Sequence, residues 1–185
     1  IELMKKNNEE QVFVIASNKQ VDSVIQNVCD EWYQDSLAEG EEYIQYCLDF
    51  CKKHNVDVFV PRRDMVEISK NIQRFNEIGV KVMVDNYATI KILNDKAAAY
   101  DLLRGCEDIH IPDYYMVNTV EEFEEAYCRL KKHDEQVCVK FVQDEGAMSY
   151  RRIVEASDRF SRLRIYSGAE ITYDDYKNAL KEVDR

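Results

Sequence analysis

The chain has 185 residues, 45% hydrophobic and 33% charged, with a formal net charge of −11. Five glycines and two prolines come to about 4% of the chain against an average near 12%, which excludes collagen-like, linker-like and Pro-rich disordered classes and leaves most residues for helix and strand. The acidic balance argues against a general nucleic-acid binder, which needs a broad basic face, and no apolar run approaches the roughly 18 residues of a membrane span.

The opening IELMKKNNEE turns polar at once, so no signal peptide is expected there. VFVIAS at 12–17 is a continuous apolar run of the buried-strand type. Val21, Val24, Ile25, Val28 and Trp32 form a helical stripe, and Tyr43, Ile44, Cys47, Leu48 and Cys51 form another. VDVFVP at 56–61 predicts a strand ending at proline. Asp64 with Glu67 reads as a capping box, followed by the stripe Met65, Ile68, Ile72 and Phe75, with Gly79 as the residue that closes the helix. VKVMVD at 80–85 is the next strand. Strand, helix, strand, helix and strand in alternation predict a parallel sheet with helices on its faces, although no G-x-G-x-x-G follows any strand.

The texture changes near residue 93, where a domain boundary is expected, giving units 1–93 and 94–185. Asn94 is read as the cap of a helix over 95–104 with Gly105 beyond it, and IPDYYMV at 111–117 as a short strand. Thr119 and Glu122 make a T-x-x-E capping box for a helix with the stripe Val120, Phe123, Tyr127 and Leu130. VCVKFV at 137–142 predicts a strand, DEGAMSY at 144–150 a loop, 151–156 and 163–166 further short strands, and 173–183 a closing helix. This half reads as α+β.

Six cysteines (Cys29, Cys47, Cys51, Cys106, Cys128 and Cys138) form no C-x-x-C pair, which points to free thiols in a reducing cytoplasm. Cys47, Cys51 and His54 could share a helix face, but packing is the favoured reading over zinc. His110 and His133 read as surface residues. The charge is uneven. Residues 138–164 carry a net positive charge that includes Arg151, Arg152, Arg159, Arg162 and Arg164, either a solvated face or a local anion site. Lys140 falls inside VCVKFV, where the alternatives are an edge strand, a snorkelling stem or a charge that meets an anion in a cleft. Gly146, Ala147 and Ser149 follow it in a small-residue loop suited to covering phosphate. Lys96 lies in the first turn of a predicted helix, disfavoured by the macrodipole yet well placed for phosphate.

The order LNDKAAAYDLL, IPDYYMV, a helix, VCVKFV and a Gly-containing loop, after a parallel α/β half, resembles the ATP-grasp enzymes, in particular those similar to the large subunit of carbamoyl phosphate synthase. The resemblance covers most of 12–176. It implies a Rossmann-like pre-ATP-grasp domain followed by a smaller α+β ATP-grasp subdomain. Asp95-Lys96 and Ile111-Pro112 stand at the family's early motifs, and Lys140 at its later strand lysine. It further implies ATP contacts from Lys96, Lys140, Gly146, Ala147, Ser149 and Arg151, with Arg151 and Arg152 the weaker candidates, for phosphate or acyl phosphate. Mg²⁺ would be held by ligands outside these residues, and a small carboxylate would be activated as an acyl phosphate for attack by an amine, ammonia or a thiol. Phe141 stands where the family commonly has proline, and the loop holds one glycine where the family has more. These departures keep open an alternative, a non-catalytic nucleotide-binding or regulatory module. An unrelated flavodoxin-like domain is a third reading, and it would set Lys96 and Lys140 far apart. On the family reading the chain is a piece of a larger ligase. Alone, it is expected to bind nucleotide weakly, on the order of millimolar, without turnover.

Overall fold

The computed structural model describes residues 1–6, 9–133, 136–143, 148–155, 160 and 169–183. The protein is mixed α/β, in two compact units, Ile1–Asn86 and Tyr87–Arg185. Among the described residues no helix is long and apolar enough to cross a membrane.

In the first unit a short helix α1 (Glu2–Lys5) precedes β1 (Ile15–Asn18), a 3₁₀ turn (Val24–Asn27) and β2 (Glu31–Gln34). The helix expected from Val21 to Trp32 does not form. Four of its five stripe residues, Val21, Val24, Ile25 and Val28, are β-branched and weak helix formers, the segment is interrupted by Asp22, Ser23 and Asn27, and Val21 and Val24 are exposed. The chain instead folds back on β1. The Val14 amide donates to the Asp30 carboxylate at 2.7 Å, the Asp30 amide donates to the Val14 carbonyl at 2.8 Å, and β2 runs parallel to β1 from Ile15↔Glu31 to Asn18↔Gln34.

Helix α2 (Gly40–Lys53) buries the predicted stripe Tyr43, Ile44, Cys47, Leu48 and Cys51. It closes with His54 as cap and Asn55 at φ 49°, the Asn55 amide donating to Lys52 and the Val56 amide to Cys51, the paired bonds of a Schellman end. β3 (Val58–Phe59) and β4 (Lys81–Val82) form a second parallel pair. Between them run α3 (Met65–Lys70) and α4 (Ile72–Glu77), separated at Asn71. Asp64 precedes α3 with φ 50° and makes no side-chain cap bond; its carboxylate lies 2.9 Å from the Arg63 guanidinium. α4 ends in another Schellman turn at Gly79 (φ 81°), with the Gly79 amide on Asn76 and the Val80 amide on Phe75. The core of this unit joins the α2 stripe to Ile68, Phe75 and Val80. The ladders remain two separate two-stranded pairs, β1–β2 and β3–β4.

The second unit opens with a helix that the sequence reading had not marked, α5 (Tyr87–Leu93), which buries none of its residues. The division between units therefore falls before α5. α6 (Lys96–Leu103) follows, and its cap is Asp95 rather than Asn94, the Asp95 carboxylate accepting the Ala98 amide at 2.9 Å. Residues 111–117 join no ladder. Pro112 lacks a donor, and the neighbouring tyrosines are drawn into local ring contacts instead. α7 (Val120–Leu130) carries the predicted capping box with both of its bonds. β5 (Cys138–Val139), β6 (Arg151–Val154) and β7 (Glu170–Thr172) form a sheet in the order β5-β6-β7, antiparallel then parallel. α8 (Tyr173–Val183) runs where the closing helix was expected. Phe123, Val137 and Ile153 are the buried centre of this unit, packed by Tyr127, Leu130, Tyr173, Tyr176 and Leu180. The strand expected at 163–166 lies outside the described residues.

Candidate functional site

Lys140 sits one residue beyond β5, an edge strand of its sheet. Val137 is buried and Val139 half-buried, while Cys138 and Lys140 are exposed, so the period-two pattern puts the lysine on the open face and avoids burying an ammonium. Its ammonium donates a hydrogen bond to the Tyr100 hydroxyl and lies 4.7 Å from the centroid of the same ring. Among the described residues it joins no ion pair.

Lys96 is the first residue of α6 and is half-buried. Its amide donates to the Val142 carbonyl at 3.1 Å, and its ammonium donates to the same oxygen at 3.3 Å. Lys96 and Tyr100 are four residues apart, so they share a helix face. Residues 140–142 thus meet that face at two points, bringing Lys96 and Lys140 to one side of α6. Of the first three amides of the helix, those of Lys96 and Ala98 are already taken, by Val142 and by Asp95.

The other expected site residues divide. The Ser149 hydroxyl accepts the Phe141 amide at 2.8 Å, which ties it to the residue that follows Lys140. Arg151 is paired in register with Val139, and its guanidinium donates to the Met148 and Tyr150 carbonyls at 2.8 and 2.7 Å. That arginine shapes the chain entering β6. Arg152 is ion-paired with Glu170 across the β6–β7 ladder. Gly146 and Ala147 lie outside the described residues, as do Arg159, Arg162 and Arg164.

Tyr100, Tyr114 and Asp101 are the residues of this neighbourhood that sequence reasoning missed. Tyr100 and Tyr114 meet edge to face at 5.3 Å. The Tyr114 hydroxyl donates to the Asp101 carboxylate at 2.8 Å, which raises the Tyr114 pKa. Arg104 lies 3.6 Å from Asp101 and its guanidinium 5.4 Å from the Tyr114 ring centroid. The available signal was spacing: Tyr100 follows Lys96 by one helical turn and adds a polar tip to an aromatic body.

Elsewhere, Cys47 and Cys51 are packed in the core of the first unit, where burial pushes their thiols up to about 12 and about 11. His54 lies instead against the Tyr33 and Phe50 rings. Among the described residues no group of three or more His, Cys, Asp or Glu side chains is placed to hold a metal ion. Comparison with protein-family models and with curated proteins finds no match to this chain.

Proposed function

We propose that residues 87–185 carry part of an ATP-grasp type of nucleotide site, in a ligase that uses Mg-ATP to activate a small carboxylate as an acyl phosphate for attack by an amine, ammonia or a thiol. The observation that carries this reading is the convergence of Lys96 and Lys140 on one face of α6, through Val142 and Tyr100. Two ammonium groups, each with three donors, suit the oxygens of adjacent phosphates. ATP, when bound, supplies the phosphoryl group. The chain's part is to neutralise and position its phosphates, which is most of what phosphoryl transfer asks of a protein. Ser149 and Arg151 organise the chain beside Lys140, and Gly146 and Ala147 complete the phosphate cover by resemblance to the family. The acids of α6 are engaged, Asp95 by the Ala98 amide and Asp101 by Tyr114 and Arg104, so no magnesium ligand is assigned to them. On the same reading residues 1–86 are a Rossmann-like pre-ATP-grasp domain, supported by the parallel pairing of β3 and β4 across α3 and α4. The absence of disulfides among the six cysteines suits a cytoplasmic protein.

A second reading, a nucleotide-binding or regulatory module without chemistry, is favoured by the α6 amides already taken by Val142 and Asp95, which leave less of the helix N-terminus for phosphate. Isothermal titration of the 185-residue chain with Mg-ATP tests both. The expected dissociation constant is on the order of millimolar. Lys96→Ala and Lys140→Ala should each weaken it roughly 3- to 10-fold, the range for exposed charge-assisted bonds. Binding that is indifferent to both lysines overturns the site. Steady ADP release that disappears in Lys140→Ala decides for the enzyme over the module.

A further inference from the structure

We infer that Tyr100 is the positioning residue of this anion site: it draws the Lys140 ammonium onto the Lys96 face of α6 and so sets the spacing at which the two cations meet a polyphosphate. The inference rests on the nucleotide reading above. It starts from two spacings. Lys96 and Tyr100 are four residues apart on one helix, about 6 Å along its axis. Lys140 and Val142 are two residues apart, a span of at most about 7 Å. These lengths match, and both cross contacts form, Lys96 to the Val142 carbonyl and Lys140 to the Tyr100 hydroxyl. The segment 140–142 therefore runs against the direction of α6, tied to it at both ends, with one cation at each tie.

The chemistry of the tie matters as much as its place. A carboxylate at position 100 would hold Lys140 but cancel its charge. A phenol accepts the ammonium's hydrogen bond while remaining neutral, so the charge of Lys140 stays available to an incoming anion. Tyr100 is itself braced. Tyr114 packs edge-on against it at 5.3 Å, and Tyr114 is held by its 2.8 Å hydrogen bond to Asp101. Asp101, the nearest acid in sequence to Tyr100, is thereby turned toward Tyr114 and Arg104. Two cations on one face of α6, with the Lys140 charge left uncancelled by its phenol partner, fit a chain of phosphates better than a single small anion.

The test uses Tyr100→Phe, which removes only the hydroxyl, Tyr100→Ala, which removes the ring as well, and each combined with Lys140→Ala, with thermal melts to establish folding. The first readout needs no nucleotide: the acetylation rates of Lys140 and Lys96, followed by peptide mass spectrometry. Tyr100→Phe should speed labelling of Lys140 about two- to threefold, the loss of one modest hydrogen bond, and leave Lys96 unchanged. The second readout is the affinity for tripolyphosphate. Tyr100→Phe should weaken it roughly threefold and Tyr100→Ala more, whereas neither should weaken it further once Lys140 is alanine. A merely structural tyrosine would lower affinity equally in both backgrounds, and that result overturns the inference. An unchanged Lys140 labelling rate in both Tyr100 variants also overturns it, whatever tripolyphosphate does. If the labelling rate moves but the wild-type chain binds neither tripolyphosphate nor ATP, the nucleotide reading has failed and the positioning role falls with it, while the Tyr100–Lys140 tie stands.

Discussion

Lys96 meets one oxygen twice: its amide and its ammonium both donate to the carbonyl of Val142, at 3.1 and 3.3 Å. A helix start normally leaves such amides to water, a cap or a ligand. Here residue 142 takes the first of them and anchors the lysine beside it, which fixes the end of the VCVKFV segment on α6. The same contact makes Lys96 part of the fold as well as of the proposed site, so its variants require a folding control that those of exposed Lys140 do not.

The first prediction concerns Arg63. Its largely buried guanidinium donates to the Ser36 carbonyl at 2.7 Å and to the Ala38 carbonyl, lies near the carboxylates of Asp35 and Asp64, and covers the Tyr43 ring at 3.9 Å. Arg63→Ala strands those partners and should cost about 3–5 kcal/mol in chemical denaturation, the range for breaking a buried pair. Arg63→Lys should recover only a small part, because an ammonium cannot reproduce the fork. A loss under about 1 kcal/mol would mean that the guanidinium's contacts do not hold residues 35–38, since only surface pairs are worth that little.

The capping box gives a second, smaller number. Thr119 accepts the Glu122 amide at 3.2 Å, and the Glu122 carboxylate returns to the Thr119 amide at 3.3 Å. Thr119→Ala should destabilise the chain by about 1 kcal/mol. The double variant with Glu122→Ala should cost less than the two single losses combined, as expected for groups that act as one unit. Full additivity would show that the two bonds do not cooperate.

How far the sequence carried can be judged from such residues. Thr119–Glu122, the α2 stripe and Gly79 were legible because each is a local rule: reciprocal caps, a 3.6-residue period and a positive φ at a helix end. The segment 21–32 was misread because period alone was counted, while its β-branched residues and the partner strand β1 decided the outcome. α5 went unseen because it has no buried stripe to read. In the candidate site the two lysines stood out by being awkward where they were. Tyr100 did not, because its role depends on a contact forty residues away, which no local pattern encodes.

A third prediction is a pH window. Glu124 accepts hydrogen bonds from Lys177 and Tyr173, and the bond from Lys177 above all lowers the Glu124 pKa, while the same bond raises that of Lys177. A depressed carboxyl stabilises the fold above its unfolded value, about 4.3, and the gain is lost as pH falls through the folded value. A raised lysine stabilises below its unfolded value, about 10.4, and the gain is lost as pH rises through the folded value. The pair therefore contributes across the plateau between those limits. Carbon NMR titration should place the Glu124 carboxyl midpoint below the ordinary glutamate value, and Lys177→Ala should return it. A midpoint at or above the ordinary value would contradict the pairing.

The central claim is that Lys96 and Lys140 receive one polyphosphate together. Its most direct test is to follow the side-chain ε-carbon signals of both lysines by NMR while Mg-ATP is added to the wild-type chain. The account predicts that the two signals shift along one binding curve with a shared, roughly millimolar midpoint, and that lysines of the first unit, such as Lys52 and Lys81, stay still. Signals that move with different midpoints, or Lys96 and Lys140 signals that stay fixed while others shift, would contradict it.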